Sequence, residues 1–245
     1  MKPFFAQIER DLLIAWQNRQ DLGVMLVFFV IIIALFPLAI GANASVLDPL
    51  GVPVIWIAAL LAILAGFDRL FSQDVRDGWL DQIALSQLGL GWYGLAKAIS
   101  HWLTAGLPLL IMTPLMAMML NIPLQQWPPL LIALLIGSMG LTLLGVIGAA
   151  LAEGARRGTA LMALLILPLA VPLLIFGTLA SQSDRGIISP HLMLLGAVFA
   201  LLLALAPLVA GALRLGRLGG RALRLEQARG PSAAARAGQG AERCG

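Results

Sequence analysis

Three aspartates, Asp74, Asp77 and Asp81, lie in the most charged stretch of the chain, FDRLFSQDVRDGWLDQIAL over residues 67–85. Their spacing of three and four residues would place the carboxylates near one face of a helix, where they could share a cation or a proton. No histidine lies close to them in the sequence, and the predicted topology exposes them to water. We therefore expect neither a metal site nor an acidic active site here.

The same stretch has the composition of a docking element. A helix over residues 70–85, which Gly78 is expected to interrupt, would present an apolar knob beside an acidic group. That face contains Leu70, Phe71, Asp74, Val75 and Gly78. Buried aromatic anchors of this kind carry much of the binding energy in protein interfaces. The alternative, which local sequence leaves open, is a solvated or interfacial segment that only links two spans.

Two histidines are further candidates. His101 lies just inside an apolar segment, one helical turn after Lys97 and next to Trp102. Polar groups within membranes are often functional, so His101 and Trp102 are candidate intramembrane functional residues, with packing or hydrogen bonding as the simpler interpretation. His191 follows Pro190, and we interpret it as part of a helix start rather than as a haem ligand.

The sequence contains no nucleotide-binding loop of the Gly-x-x-x-x-Gly-Lys-Ser/Thr type and no nucleophile elbow. We therefore expect a non-enzymatic subunit, and any ATP that drives it must be hydrolysed by another chain. The single cysteine, Cys244, excludes an internal disulfide and a multi-cysteine metal site.

Composition identifies the class of protein. The chain has 245 residues, of which 60% are hydrophobic and 11% charged, with a mean hydropathy of +0.94. Soluble domains contain about 25% charged residues, so this is an integral membrane protein. Apolar stretches long enough to cross a bilayer as helices predict an all-α fold. The six predicted spans are 22–42, 50–67, 98–120, 130–152, 159–180 and 192–213.

Segments of different composition lie at the two ends of this transmembrane domain, residues 22–213. Residues 1–21 have apolar and charged faces, which predicts an amphipathic helix at the membrane interface. Its apolar face contains Phe4, Phe5, Ile8, Leu12, Leu13 and Trp16, and Arg10 and Asp11 lie largely opposite. Residues 214–245 are rich in Arg, Ala and Gly, which is typical of a disordered or lipid-associated tail.

Positive charge predicts the orientation. Fifteen of the 16 Lys and Arg residues lie at the chain ends or in the connections after the second and fourth spans, and only Arg185 lies on the other side. Both termini and residues 67–97 are therefore predicted to be cytoplasmic. The basic residues are explained by topology and anionic lipid, so no nucleic-acid partner is expected.

Four segments together resemble the CcmB family of cytochrome c maturation. They are FFVIIIALFPLAIG in the first span, VIWIAALLAILAGFDRLFSQDVRDGWLDQI in the second span and its loop, LAKAISHWLTAGLPLLIMTPLMAMML in the third, and LPLAVPLLIFGT in the fifth. The resemblance covers about residues 4–213. Asp68 and Asp81 stand where the family has glutamates, which keeps the charge, and Trp79 follows Gly78.

The resemblance implies an ABC-2-like permease subunit in the bacterial inner membrane. Its partners would be a CcmA-type ATPase, CcmC- and CcmD-type membrane subunits and a CcmE-type periplasmic haem chaperone, whose haem-loaded form the complex releases with ATP. ABC architecture implies two copies of the chain. ATP would be bound by the partner and haem would be cargo of the complex, with no cofactor on this chain and no haem-binding residue assigned.

On this picture the resemblance makes the loop between the second and third spans a coupling element that contacts the ATPase. Its residues would be Leu70, Phe71, Asp74, Asp77, Gly78 and Asp81. Two other functions stay open: an ABC-2-type exporter subunit for another small molecule or lipid, and a membrane scaffold that assembles partners without energy coupling.

Overall fold

The structure is a computed structural model that describes residues 2–41, 44–67, 74, 77–79, 82–83, 86, 89–154, 159–183 and 189–209. Within these ranges the regular elements are all helical. In chain order they are α1 (Lys2–Gln17), α2 (Arg19–Ile40), α3 (Ala44–Ala65), α4 (Gly89–His101), a π-helical segment (Trp102–Gly106), α5 (Leu107–Met119), a 3-10 turn (Leu124–Gln126), α6 (Trp127–Gly154), α7 (Thr159–Ser181) and α8 (Pro190–Val209).

The described helices include five stretches that are long and apolar enough to cross a membrane. They are Leu22–Ile40, Leu47–Ala65, Gly89–Met119, Leu124–Ala149 and Pro190–Val209. Within α7 a shorter apolar stretch covers Ile166–Ser181. A helix therefore lies at each of the six predicted spans, and the all-helical membrane class is confirmed, whereas the number of crossings stays a prediction.

The third span begins earlier than its hydropathy predicted. Helix α4 starts at Gly89, which has φ +70°, rather than at Ala98. The intervening turns are helical because Leu90, Tyr93 and Ala96 are buried against the rest of the protein. Lys97, which the prediction placed in a loop, consequently lies inside a helix.

A π-helical segment separates α4 from α5. The backbone N–H of Leu107 donates to the carbonyl of Trp102, five residues earlier. The Thr104 hydroxyl donates to the carbonyls of Ser100 and His101, at 2.9 and 3.1 Å. Pro108 follows directly and has no N–H to give, so a regular helix could not satisfy every carbonyl in this turn.

Helix α6 lies at the centre of the bundle and contacts α3, α4, α5 and α7. Its glycines receive aromatic rings from α3 and from the residue Phe67 that follows α3. The ring of Trp56 lies where a Cβ on Gly137 or Gly177 would be, at 2.2 and 2.3 Å. Trp56 is fully buried, and its Nε1–H donates to the Ser181 hydroxyl at 3.1 Å.

One smaller prediction from the sequence is confirmed. The backbone N–H of Leu192 donates to the hydroxyl and carbonyl oxygens of Ser189 at the start of α8, so His191 belongs to a helix start. Met116 is buried in the core, whereas Met118 and Met119 are exposed on the bundle surface. The predicted tail, residues 214–245, lies outside the described residues.

Candidate functional site

Five side chains from three parts of the chain form a group that we call the ion cluster: Arg10 and Asp11 of α1, Asp74 of the loop, and Tyr93 and Lys97 of α4. Asp11, Asp74 and Tyr93 are buried, and the two cations are partly buried. Lys97 pairs with Asp11 at 3.0 Å and with Asp74. Arg10 pairs with Asp11 at 3.3 Å and with Asp74 at 3.1 Å. The Tyr93 hydroxyl donates to Asp74. Two carboxylates thus face two cations, and their formal charges balance.

The contribution of α1 corrects the sequence prediction. Asp11 was placed on a face opposite the apolar residues, but it is buried, and so is Gln7, whose side-chain amide donates to both Asp11 oxygens at 3.1 Å. Phe5, Leu13 and Trp16 are instead 57–72% exposed. Because Lys97 lies on α4 beside α1, Gln7 and Asp11 turn inward, whereas Phe5, Leu13 and Trp16 lie outside.

Asp74 is held on both of its oxygens and is only 2% exposed. Burial acts to raise its pKa, but the charge of Lys97 and the hydrogen bonds from Lys97, Tyr93 and Arg10 together lower the pKa below its ordinary value of 3.8. The carboxylate is therefore ionised at neutral pH. It contacts the chain's own helices, so its side chain is not presented on the outer face that the sequence pattern suggested.

Trp79 adds a second layer over the cluster. The Arg10 guanidinium lies 4.3 Å from the Trp79 ring centroid, a distance at which a cation is attracted by the ring. The indole Nε1–H donates to the side-chain oxygen of Gln7 at 3.1 Å. Between Asp74 and Trp79, Asp77 is exposed, and Gly78 has φ +70°, a value that interrupts a helix as expected.

The remaining predicted coupling residues, Leu70, Phe71 and Asp81, lie outside the described residues. The start of the loop is described, however. Phe67 is 3% exposed, and its ring occupies the position where a Cβ on Gly145 of α6 would be, at 2.3 Å. The loop is therefore attached to the bundle at Phe67 and again at Asp74.

His101 and Trp102, the intramembrane candidates, have different surroundings. The His101 ring lies 5.4 Å from the Phe67 ring, centroid to centroid. Its Nε2 is shielded and has no hydrogen-bond partner among the described residues. Trp102 donates from Nε1 to the Ser138 hydroxyl of α6 at 3.0 Å. Trp102 is thus a packing and hydrogen-bonding residue, whereas His101 is packed but not fully satisfied.

This arrangement joins the loop to two helices. Among the described residues no group of three or more His, Cys, Asp or Glu side chains has the geometry to hold a metal ion. The carboxylates that could act as bases are both saturated by cations. What the cluster does is fix the loop to α1 and α4 through several charge-assisted hydrogen bonds.

Sequence analysis missed Arg10, Tyr93 and Lys97 as partners of Asp74, and Lys97 as a partner of Asp11. The contact of Arg10 with Asp74 and that of Lys97 with Asp11 join residues 64 and 86 positions apart, so no local pattern indicates them. One signal was available: Lys97 lies within a helix that is otherwise largely apolar, and a charge in that setting needs a partner.

Comparison with known proteins agrees with this architecture. Residues 2–216 match the family model described as "CcmB protein". A Pseudomonas aeruginosa protein named "Heme exporter protein B" is 44% identical over 206 residues, covering 83% of this chain and 92% of the relative. Proteins of the same name from Bradyrhizobium diazoefficiens and Escherichia coli K12 are 42% and 40% identical, with 84% and 86% of this chain and 91% and 98% of the relatives covered. The chain belongs to the CcmB family.

Proposed function

We propose that this chain is the membrane permease subunit of an ABC-type system that handles haem in c-type cytochrome biogenesis. The support comes from membership of the CcmB family and from relatives named "Heme exporter protein B". The structural observation that carries the proposal is the ion cluster, because it attaches the loop between the second and third spans to two helices. A loop fixed in this way can transmit a displacement to the bundle.

The energy source in this proposal is a partner ATPase of the CcmA type. The sequence of this chain has no phosphate-binding loop of its own. The partner would contact the outer surface of the loop, where Asp77 is exposed, with Leu70, Phe71, Gly78 and Asp81 as further candidate contacts. Asp74 would act from inside by holding the loop in place, because its side chain is buried.

The location that fits this role is the bacterial inner membrane, with both termini and the loop on the cytoplasmic side. The distribution of Lys and Arg supports that orientation. The exposed Phe5, Leu13 and Trp16 of α1 suit the boundary between headgroups and acyl chains, where tryptophan is enriched. In this arrangement α1 contacts lipid with its apolar face and the loop with its polar face.

The complex would also contain CcmC- and CcmD-type subunits and two copies of this chain. Its output would be release of a haem-loaded CcmE-type chaperone on the periplasmic side, with haem as cargo of the complex. Spans that follow the loop would carry the movement from the ATPase to that side.

Complementation tests the proposal. A bacterial strain lacking its own CcmB-family gene should regain c-type cytochromes, measured by haem staining, when it receives this chain, and it should not regain them when the partner ATPase is catalytically inactive. Normal cytochromes without the gene, together with a different export defect, would favour an exporter of another molecule. Restoration with an inactive ATPase would favour a scaffold.

A further inference from the structure

One side of α4 contacts the loop at two separate places. Tyr93, Lys97 and His101 follow one another at intervals of four residues, which places them along the same side of a helix. Tyr93 and Lys97 hold Asp74, and the His101 ring packs against Phe67. A displacement of the loop therefore acts on α4 through a charged contact and an aromatic contact.

The aromatic contact has little freedom. The Phe67 ring is wedged between His101 and Gly145, and a Cβ on the neighbouring Gly66 would lie 2.6 Å from His101 Cε1. Close-packed groups of this kind transmit displacement because they cannot be compressed. Phe67 can move only if α4 or α6 moves with it.

The π-helical segment begins at the residue after His101. At that point the chain is also hydrogen-bonded to α6, because Trp102 donates to Ser138, and the Trp102 ring lies against Gly106 of the same segment. Helix α4 is attached to the loop and packs on α1 and α6, and the segment that follows it is held to α6 by this hydrogen bond. Irregular helical turns are frequent at functional positions and at hinges.

We infer that α4 is a lever arm that turns about the π-helical segment, and that His101 is the positioning residue that passes movement of the loop to this hinge. The inference rests on the proposed function, since it assumes that a partner displaces the loop. Its structural basis is the joint placement of Phe67, His101 and the hinge.

The first test replaces the ring that transmits the movement. In the complete complex, His101→Ala should lower the amount of cytochrome c matured per ATP hydrolysed by about tenfold, while ATPase recruitment and basal hydrolysis stay unchanged. His101→Phe keeps a ring against Phe67 and should restore most of that ratio. His191→Ala, at the start of α8 and half-buried, is the matched control. Equal loss with alanine and phenylalanine, or no loss with either, would overturn the role of His101.

The second test measures the hinge directly and does not depend on how the alanine variant folds. Spin labels at Trp92→Cys and Leu115→Cys lie on opposite sides of the π-helical segment, at positions that are exposed. With Cys244→Ser, their separation should change by about 2 Å or more when a non-hydrolysable ATP analogue binds the complex. Labels at Leu135→Cys and Leu151→Cys on the regular helix α6 should keep their separation. No change across the π-helical segment would contradict a hinge.

The two proposals fail in different ways. If the unaltered chain does not restore c-type cytochromes in a strain lacking the gene, the proposed function is wrong. If the unaltered chain restores them and the labels across the π-helical segment do not move, the function stands and the lever is wrong.

Discussion

The ion cluster and the tryptophan slot, which is our name for the site of Trp56 between Gly137 and Gly177, are two polar sites built on opposite principles. In the slot, one indole lies against Gly137 and Gly177 and makes a single neutral hydrogen bond to Ser181. In the cluster, four formal charges and a phenol hold three parts of the chain together. Shape complementarity fixes the indole, whereas in the cluster buried charges that are costly to separate join three parts of the chain. The slot therefore holds two helices by packing, and the cluster holds the loop by charge.

Removing a charge from the cluster should have the largest effect on stability. Asp74→Asn leaves Lys97 and Arg10 with only one carboxylate between them, and breaking a buried ion pair costs roughly 3–5 kcal/mol. We expect a loss of that order in the free energy of unfolding, measured by SDS titration of the chain in mixed micelles.

The same loop contains the matched control for this change. Asp77→Asn removes the same charge from an exposed position, and exposed charges contribute about 0–1 kcal/mol. If the two substitutions cost the same, the cluster does not hold the loop as the structure describes.

Filling the tryptophan slot should have the next largest effect. A Cβ at position 137 would lie 2.2 Å from the ring of Trp56, which is fully buried and has no free space to enter. Gly137→Ala should therefore destabilise by about 1–3 kcal/mol through overpacking, measured by the same titration. Gly196→Ala is the control, because nothing lies within 4 Å of a Cβ there; equal results for the two alanines would mean that the slot can relax.

The contrast between the two sites also explains which features of the fold could be predicted from the sequence. Hydropathy placed helices at the predicted spans because burial in lipid acts on each residue locally. Hydropathy did not predict that Asp11 is buried or that α4 begins at Gly89. In both places the decisive contact, between Asp11 and Lys97, joins residues that are distant in sequence. Trp56 was missed because its hydrogen bond to Ser181 spans 125 residues and both residue types are ordinary. The role of Asp74 in coupling stays a prediction, and its surroundings depend on that same long-range packing.

The hydrogen bond in the slot should have a smaller effect than its packing. Trp56→Phe keeps a ring between the two glycines and removes the N–H that Ser181 accepts. Since Ser181 also donates to the Gly177 carbonyl, it stays partly satisfied. We expect a loss of about 1 kcal/mol for the hydrogen bond, with a further loss from the smaller ring. Trp56→Phe combined with Ser181→Ala should cost less than the sum of the two single changes, and simple additivity would show that the hydrogen bond contributes nothing.

Acid should produce the smallest difference in stability between the two regions. The direction of this pH dependence follows from the lowered pKa of Asp74. Its pKa is lower in the folded chain than its ordinary value of 3.8, because the opposing effect of burial is outweighed by Lys97, Tyr93 and Arg10. A carboxyl group of this kind contributes its stabilisation above the unfolded pKa and loses it as the pH falls through the folded pKa. Stability should therefore be unaffected by Asp74 between about pH 7 and 5, and should fall below about pH 4.

Asp74→Asn should flatten the acid side of this profile, whereas Gly137→Ala should lower the whole curve without changing its shape. An acid limb that persists unchanged in Asp74→Asn would assign the titration to another carboxyl group.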